Sequence, residues 1–144
     1  MLFALEAVVD IAFNARPDPV QSKEISERQG IPPRYLEQVM QHLVRAGILK
    51  GVRGPRGGYT LARERRRISV GEVVRTIAAI DDPDDDTETR GSHLGRNVVQ
   101  PLWRDAQAAA MAELDAVTLE ELCRRANRQG VDKSAENNTT DFNI

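Results

Sequence analysis

The sequence predicts a mainly α-helical fold with one small β-hairpin, and three observations predict it. Apolar residues recur at helical spacing through most of residues 2–80. Residues 22–46 then carry two short helical patterns separated by Gly30-Ile31-Pro32, the layout of a helix-turn-helix. Two β-prone runs, residues 48–52 and 59–61, flank a tight Gly/Pro turn that presents Arg53 and Arg56 at the tip of a hairpin. Helix, turn, helix and basic hairpin in this order make a winged helix-turn-helix, an arrangement that lays its second helix in a DNA groove.

The elements follow in chain order. Leu2, Phe3, Leu5, Val8, Val9, Ala12 and Phe13 share one side of a first helix over residues 2–15, with Glu6 and Asp10 on the other side. It is expected to pack under the helix-turn-helix. Arg16-Pro17-Asp18-Pro19 is a turn. Ser22 suits the cap of the second helix, which turns Ile25 inward and stops at Gly30. A third helix starts near Pro33, because proline is tolerated at the first helical position. Its Leu36, Val39, Met40 and Leu43 form a core stripe, and Gly47 ends it. After the hairpin, Ser69-Val70-Gly71-Glu72 is a capping box for a fourth helix whose Val70, Val73, Val74, Ile77 and Ile80 keep the helical period.

Residues 1–80 constitute the winged helix-turn-helix domain. Residues 81–97 are rich in aspartate, have little apolar content and read as a flexible acidic loop. A long helix is expected from about Val98 or Pro101 to Val117, with Leu102, Ala106, Ala109, Ala110, Leu114 and Val117 on one face and Trp103 at its start. Small residues on that face let another helix approach closely, and a second copy of the chain is the natural partner. Leu102, Trp103, Ala106, Ala110 and Leu114 are the candidate dimerisation residues of this long dimerisation helix. Thr118 and Glu121 make a second capping box for a short helix bearing Leu119 and Leu122, so that residues 98–127 form a dimerisation unit. Residues 128–144 are polar and read as a disordered tail.

Charge separates along the chain. The formal net charge is −2, yet residues 1–80 hold 13 Lys/Arg against 8 Asp/Glu, while residues 81–144 hold 7 against 14. Between Arg45 and Arg67 there are eight Lys/Arg and a single acid, Glu64. Such a basic stretch is the electrostatic footprint of a nucleic-acid face. The exposed side of the third helix offers Arg34, Glu37, Gln38, Gln41 and Arg45, all able to hydrogen-bond base edges or phosphates.

Several other classes are disfavoured. Cys123 is the only cysteine, which excludes an intramolecular disulfide and a cysteine cage within one chain. No apolar run approaches the roughly 18 residues needed to span a bilayer, and a signal-peptide layout is missing, so a cytoplasmic protein is expected. Gly54-Pro55-Arg56-Gly57-Gly58 lacks the ending of a phosphate-binding P-loop. Asp82, Asp84 and Asp86 have the first spacings of a calcium loop, but Thr87 and His93 stand where its glycine and closing glutamate belong. No acid, base and nucleophile cluster suggests an enzyme. Two alternatives stay open: a winged-helix protein-interaction module, and a redox or metal sensor using Cys123 or His93.

The motifs Ser26-Glu27-Arg28-Gln29-Gly30-Ile31, Tyr35-Leu36-Glu37-Gln38, Val52-Arg53-Gly54-Pro55, Gly57-Gly58-Tyr59, Val70-Gly71-Glu72-Val73 and Leu102-Trp103 together resemble the Rrf2 family of bacterial transcription regulators. The similarity runs in register from about Leu2 to Ala126. It implies a homodimer in which a long helix of each subunit crosses its mate, bound to double-stranded DNA at a near-palindromic operator. By the same resemblance Arg34 and Tyr35 meet the DNA backbone or bases, Glu37 and Gln38 read base edges in the major groove, and Arg53 enters the minor groove; Ser22 and Gln41 complete the candidate DNA-binding set. Arg56 stands where many relatives have glycine and adds a cationic contact. Iron–sulfur members hold a cluster with three cysteines before the long helix and a further ligand near its start. Here residues 81–100 contain no cysteine, and Asn97 and Gln100 occupy the ligand-like positions, so no iron–sulfur cluster or other cofactor is expected. The resemblance also implies several more residues ahead of the first helix.

Overall fold

The computed structural model describes residues 1–15, 18–81 and 91–131. Among the described residues six α-helices and one antiparallel hairpin follow the order α1 (Leu2–Asn14), α2 (Ser22–Gln29), α3 (Pro33–Arg45), β1 (Leu49–Val52), β2 (Gly58–Leu61), α4 (Val70–Asp81), α5 (Gln100–Asp115) and α6 (Leu119–Arg128). Helix α1 is the hub, packing against α2, α3, α4, α6 and β2. Its Ala4, Ala7, Val8, Ile11, Ala12 and Phe13 are buried with Ile25 of α2, the α3 stripe Leu36, Val39, Met40 and Leu43, and Val73 and Ile77 of α4. The small side chains of Ala4 and Ala7 allow this close helix approach.

Two expectations for α1 are corrected. The helical pattern puts Leu2 and Phe3 on the apolar side, yet they are 73% and 46% exposed, whereas Asp10, on the polar side of that pattern, is 3% exposed. The reason for Asp10 is a partner set on α2. Arg28 grips its carboxylate with Nε and Nη2 at 3.0 and 2.7 Å, and Gln29 Nε2 donates to it at 2.8 Å. A carboxylate with a bidentate guanidinium and an amide donor tolerates burial that an isolated one does not. Leu2 and Phe3 are left outside because the helix turns Ala4 and Ala7 inward in their place.

The start of α2 also differs from the expected one. Gln21, not Ser22, is the capping residue, with its backbone N–H donating to the Glu24 carboxylate at 3.3 Å, and Ser22 is the first helical residue. Helix α3 begins at Pro33 as expected. It ends in a Schellman turn: Gly47 takes a left-handed φ of 75° while Ile48 N–H reaches the Leu43 carbonyl and Gly47 N–H the Val44 carbonyl, at 3.0 and 3.1 Å.

The hairpin pairs Leu49 with Leu61, Lys50 with Thr60, Gly51 with Tyr59 and Val52 with Gly58. Val20 joins it as a third-strand residue, exchanging backbone hydrogen bonds of 2.8 and 3.0 Å with Tyr59. This anchor ties the wing to the residues just before α2. Both capping hydroxyls act as expected: Ser69 Oγ accepts from Glu72 N–H at 3.1 Å, and Thr118 Oγ1 from Glu121 N–H at 3.2 Å.

The expected acidic loop and tail fall mostly on residues 82–90 and 132–144, outside those described, as do Asp82, Asp84, Asp86 and Thr87. At its margins the structure corrects the loop's bounds. Asp81 is the last residue of α4, and helical structure resumes at His93. Residues Gly95–Val99 form a π-helical turn, in which Gln100 N–H bonds the Gly95 carbonyl, and it leads directly into α5. Local composition there is polar, but the helix that follows extends back into it. Helix α5 lies against α4 and buries none of its residues. Arg75 and Asp115 join the two helices through a bidentate pair at 2.7 and 2.5 Å.

Candidate nucleic-acid interface

The α3 stripe that enters the core turns the opposite side of the helix to solvent. Arg34, Glu37, Gln38, Gln41 and Arg45 are exposed there, while Tyr35 is half-buried. The Tyr35 ring meets the Phe3 ring edge to face, with centroids 6.3 Å apart, and its hydroxyl accepts from the α-amino group of Met1 at 3.2 Å. The amino-terminal turn of α1 therefore orients Tyr35 at the start of the recognition helix. His42 is half-buried.

The wing brings its cations forward by backbone chemistry. Gly57 N–H closes the tip on the Gly54 carbonyl at 2.9 Å, and Arg53 and Arg56 stand exposed around it. Neither guanidinium has a partner among the described residues. Behind the tip, Gln21, Ser22 and Lys23 face Arg53, Gly54 and Tyr59 across a cleft of about 520 Å³. A second groove of about 350 Å³ runs between α2 and α3, lined by Ser22, Lys23, Ser26, Glu27, Pro33 and Leu36. The structure thus brings together Ser22 and Arg53, which are far apart in sequence. Lys23, at the amino-terminal end of α2, is a cation of this face that sequence reasoning missed. Its position one residue beyond Ser22 at a helix start was the available signal.

Ser22, Arg34, Tyr35, Glu37, Gln38, Gln41, Arg53 and Arg56 occupy the two helices and the wing of one motif. Paired donors and acceptors on α3 match the hydrogen-bonding edges of bases, and free guanidiniums on the wing match phosphates or a narrow groove. The class these features define is a winged helix-turn-helix DNA-binding regulator. Comparison with known proteins gives the family. Residues 1–125 match the Rrf2 family, described as iron-dependent transcriptional regulators, and the chain belongs to it. The HTH-type transcriptional regulator IscR of Xenorhabdus nematophila is 38% identical over 141 residues, covering 91% of this chain and 84% of the relative. IscR of Escherichia coli is 37% identical over 143 residues, covering 96% and 85%. Among solved structures, T. potens IscR superposes with a TM-score of 0.71 at 32% identity, over 89% of this chain and 85% of that one. CymR, the global cysteine regulator of B. subtilis, superposes with a TM-score of 0.67 at 26% identity, over 86% and 92%. The relatives are regulators, and the chain is a transcription regulator rather than an enzyme.

The family description names iron, and the donor set here does not fit a cysteine-held cluster. Cys123 is the sole thiol and lies in the core at 1% exposure. Asn97 at a ligand-like position spends its amide on the His93 carbonyl at 3.0 Å. Among the described residues no three His, Cys, Asp or Glu side chains gather as a metal site, and no helix is long and apolar enough to cross a membrane.

Proposed function

We propose that two copies of this chain bind a near-palindromic operator as a homodimer in the cytoplasm and repress transcription, without an iron–sulfur cluster. The observation that carries the reading is the exposed polar face of α3 beside two wing guanidiniums that have no partner among the described residues. Arginines and lysines neutralise phosphates and release counterions, which gives affinity that falls with salt. Arg34, Glu37, Gln38 and Gln41 then discriminate bases at about 1–3 kcal/mol for each good bidentate contact. A protein holding promoter DNA in this way blocks polymerase sterically. Dimerisation is assigned to α5, where Leu102 and Trp103 are 71% and 65% exposed and Ala106 and Ala110 are also at the surface; Leu114 is half-buried. Apolar surface of this kind gains by meeting a second copy.

Selection of bound fragments from the source genome, followed by a salt titration, tests the reading. The wild-type chain is expected to enrich discrete inverted repeats, and Arg53→Ala to bind them more weakly with a salt slope reduced by about one. No preference for any fragment over random duplex at low salt sinks the reading.

A further inference from the structure

A recognition helix in the major groove and a wing in the adjacent minor groove leave one part of DNA between them, the sugar–phosphate strand that walls the two grooves apart. The chain holds a cleft at that place. It is the cleft of about 520 Å³ between the start of α2 and the wing, with Ser22 and Lys23 on one wall and Arg53 on the other. Among the described residues no carboxylate lines it. Ser22 and Lys23 also line the groove of about 350 Å³ that reaches Pro33, so the two depressions meet at the start of α2 and lead from the wing to the start of α3. The paired backbone hydrogen bonds of Val20 and Tyr59 fix the separation of the walls.

The donors of the α2 wall are available. Lys23 meets Glu27 at 3.9 Å, but the two side chains are 81% and 66% exposed, and a long surface pair of this kind contributes little. Glu24, the acid of the first turn, accepts from the Gln21 N–H. The Ser22 hydroxyl is half-buried and has no hydrogen-bond partner among the described residues. A hydroxyl and an ammonium both donate to phosphate oxygens.

Gly51 points to an occupant independently. It lies inside β1 opposite Tyr59, and opposite residues of an antiparallel pair share a face, so its bare side is the side on which Tyr59 lines the cleft. Gly57 and Gly58 are demanded by the fold, because a β-carbon at either would collide with backbone carbonyls. At Gly51 a β-carbon would meet nothing within 4 Å, and the backbone is not left-handed. Glycine weakens a strand interior, and where neither a turn nor packing asks for it, it marks the close approach of another molecule. We infer, on the strength of the DNA-binding reading, that this cleft seats a backbone phosphate of the strand between the two grooves. The Lys23 ammonium and the Ser22 hydroxyl grip it, the missing side chain of Gly51 gives it room, and Arg53 enters the groove beside it.

The probe is a random-sequence duplex, bound by the full chain across a salt titration. Lys23→Ala is expected to weaken binding about tenfold at low salt and to lower the salt slope by about one for each subunit, because a phosphate contact carries charge but no sequence information. Lys23→Arg should keep the slope. Lys50→Ala removes an equal charge from the other face of β1 and should leave the slope unchanged. Gly51→Val fills the cleft with a residue favoured in strands; duplex binding should weaken about tenfold while the urea midpoint holds or rises. A slope kept in full by Lys23→Ala overturns the inference, and so does an equal drop in Lys50→Ala, which would make the loss one of general charge. Undiminished duplex affinity or a lowered midpoint in Gly51→Val also overturns it. A wild-type chain with no salt-dependent duplex binding at all would instead sink the DNA-binding reading, and the phosphate seat with it.

Discussion

Gly58 sits at the base of the wing with no room for a side chain. A β-carbon there would collide with the Val20 carbonyl, the backbone that exchanges hydrogen bonds with Tyr59. Gly58→Ala is expected to push the wing off Val20 and cost about 1–3 kcal/mol, measured by urea unfolding, with faster amide exchange at Tyr59. Unaltered exchange there would mean that the bridge is not the wing's anchor. Asp10 makes a different case at the same scale. Arg28→Ala leaves a buried carboxylate without its guanidinium and is expected to destabilise the fold by about 3 kcal/mol. Replacing the pair together, Asp10→Leu with Arg28→Met, should cost much less, because no charge remains to be desolvated. Equal losses in the single and double variants would show that packing rather than charge governs the site.

Among the elements, α5 depends most on a polar contact. None of its residues is buried, and the Arg75–Asp115 pair fastens it to α4. The hydrogen bond from Arg75 holds the Asp115 carboxyl below its ordinary value of 3.8. A carboxyl whose folded pKa is lowered contributes stability above its unfolded pKa and loses it as pH falls through the folded value. Acidification below the ordinary carboxyl value of 3.8 should therefore free α5. Trp103 lies on that helix and is the only tryptophan, so its fluorescence anisotropy reports the release. Asp115→Asn should begin loosened at neutral pH and show a smaller acid step. Glu121 on α6 is lowered in the same sense, and the difference between the two titration curves isolates the α5 contribution. An identical acid step in the variant would remove the pair from α5 docking.

At the scale of the whole molecule, one polar motif and one exposed apolar helix divide the work. The basic excess of residues 1–80 lies with the reader, and the apolar side chains of α5 lie outside the core that positions it. Leu102→Glu with Trp103→Glu is expected to convert the proposed dimer to single chains in sedimentation equilibrium. Half-site binding should persist with roughly half the salt slope, because each subunit keeps its own phosphate contacts. A variant that remains dimeric would move the interface elsewhere.

Sequence alone determined the winged helix-turn-helix, the stripe Leu36, Val39, Met40 and Leu43, the two hydroxyl caps and the exposure of Arg34, Gln38, Arg53 and Arg56. These depend on local period and turn chemistry, which act over a few residues. Only the tertiary structure decided that Asp10 is inside and that Leu2 and Phe3 are outside. It also decided that Ser22 and Lys23 share a cleft with Arg53, and that the helix before α5 begins at His93. Periodicity reports which residues share a side of a helix; it does not say which side finds a partner. Burial of Asp10 rests on Arg28, 18 positions away, and the cleft rests on Val20 joining Tyr59. Contacts of that range are created by packing, and no local pattern encodes them.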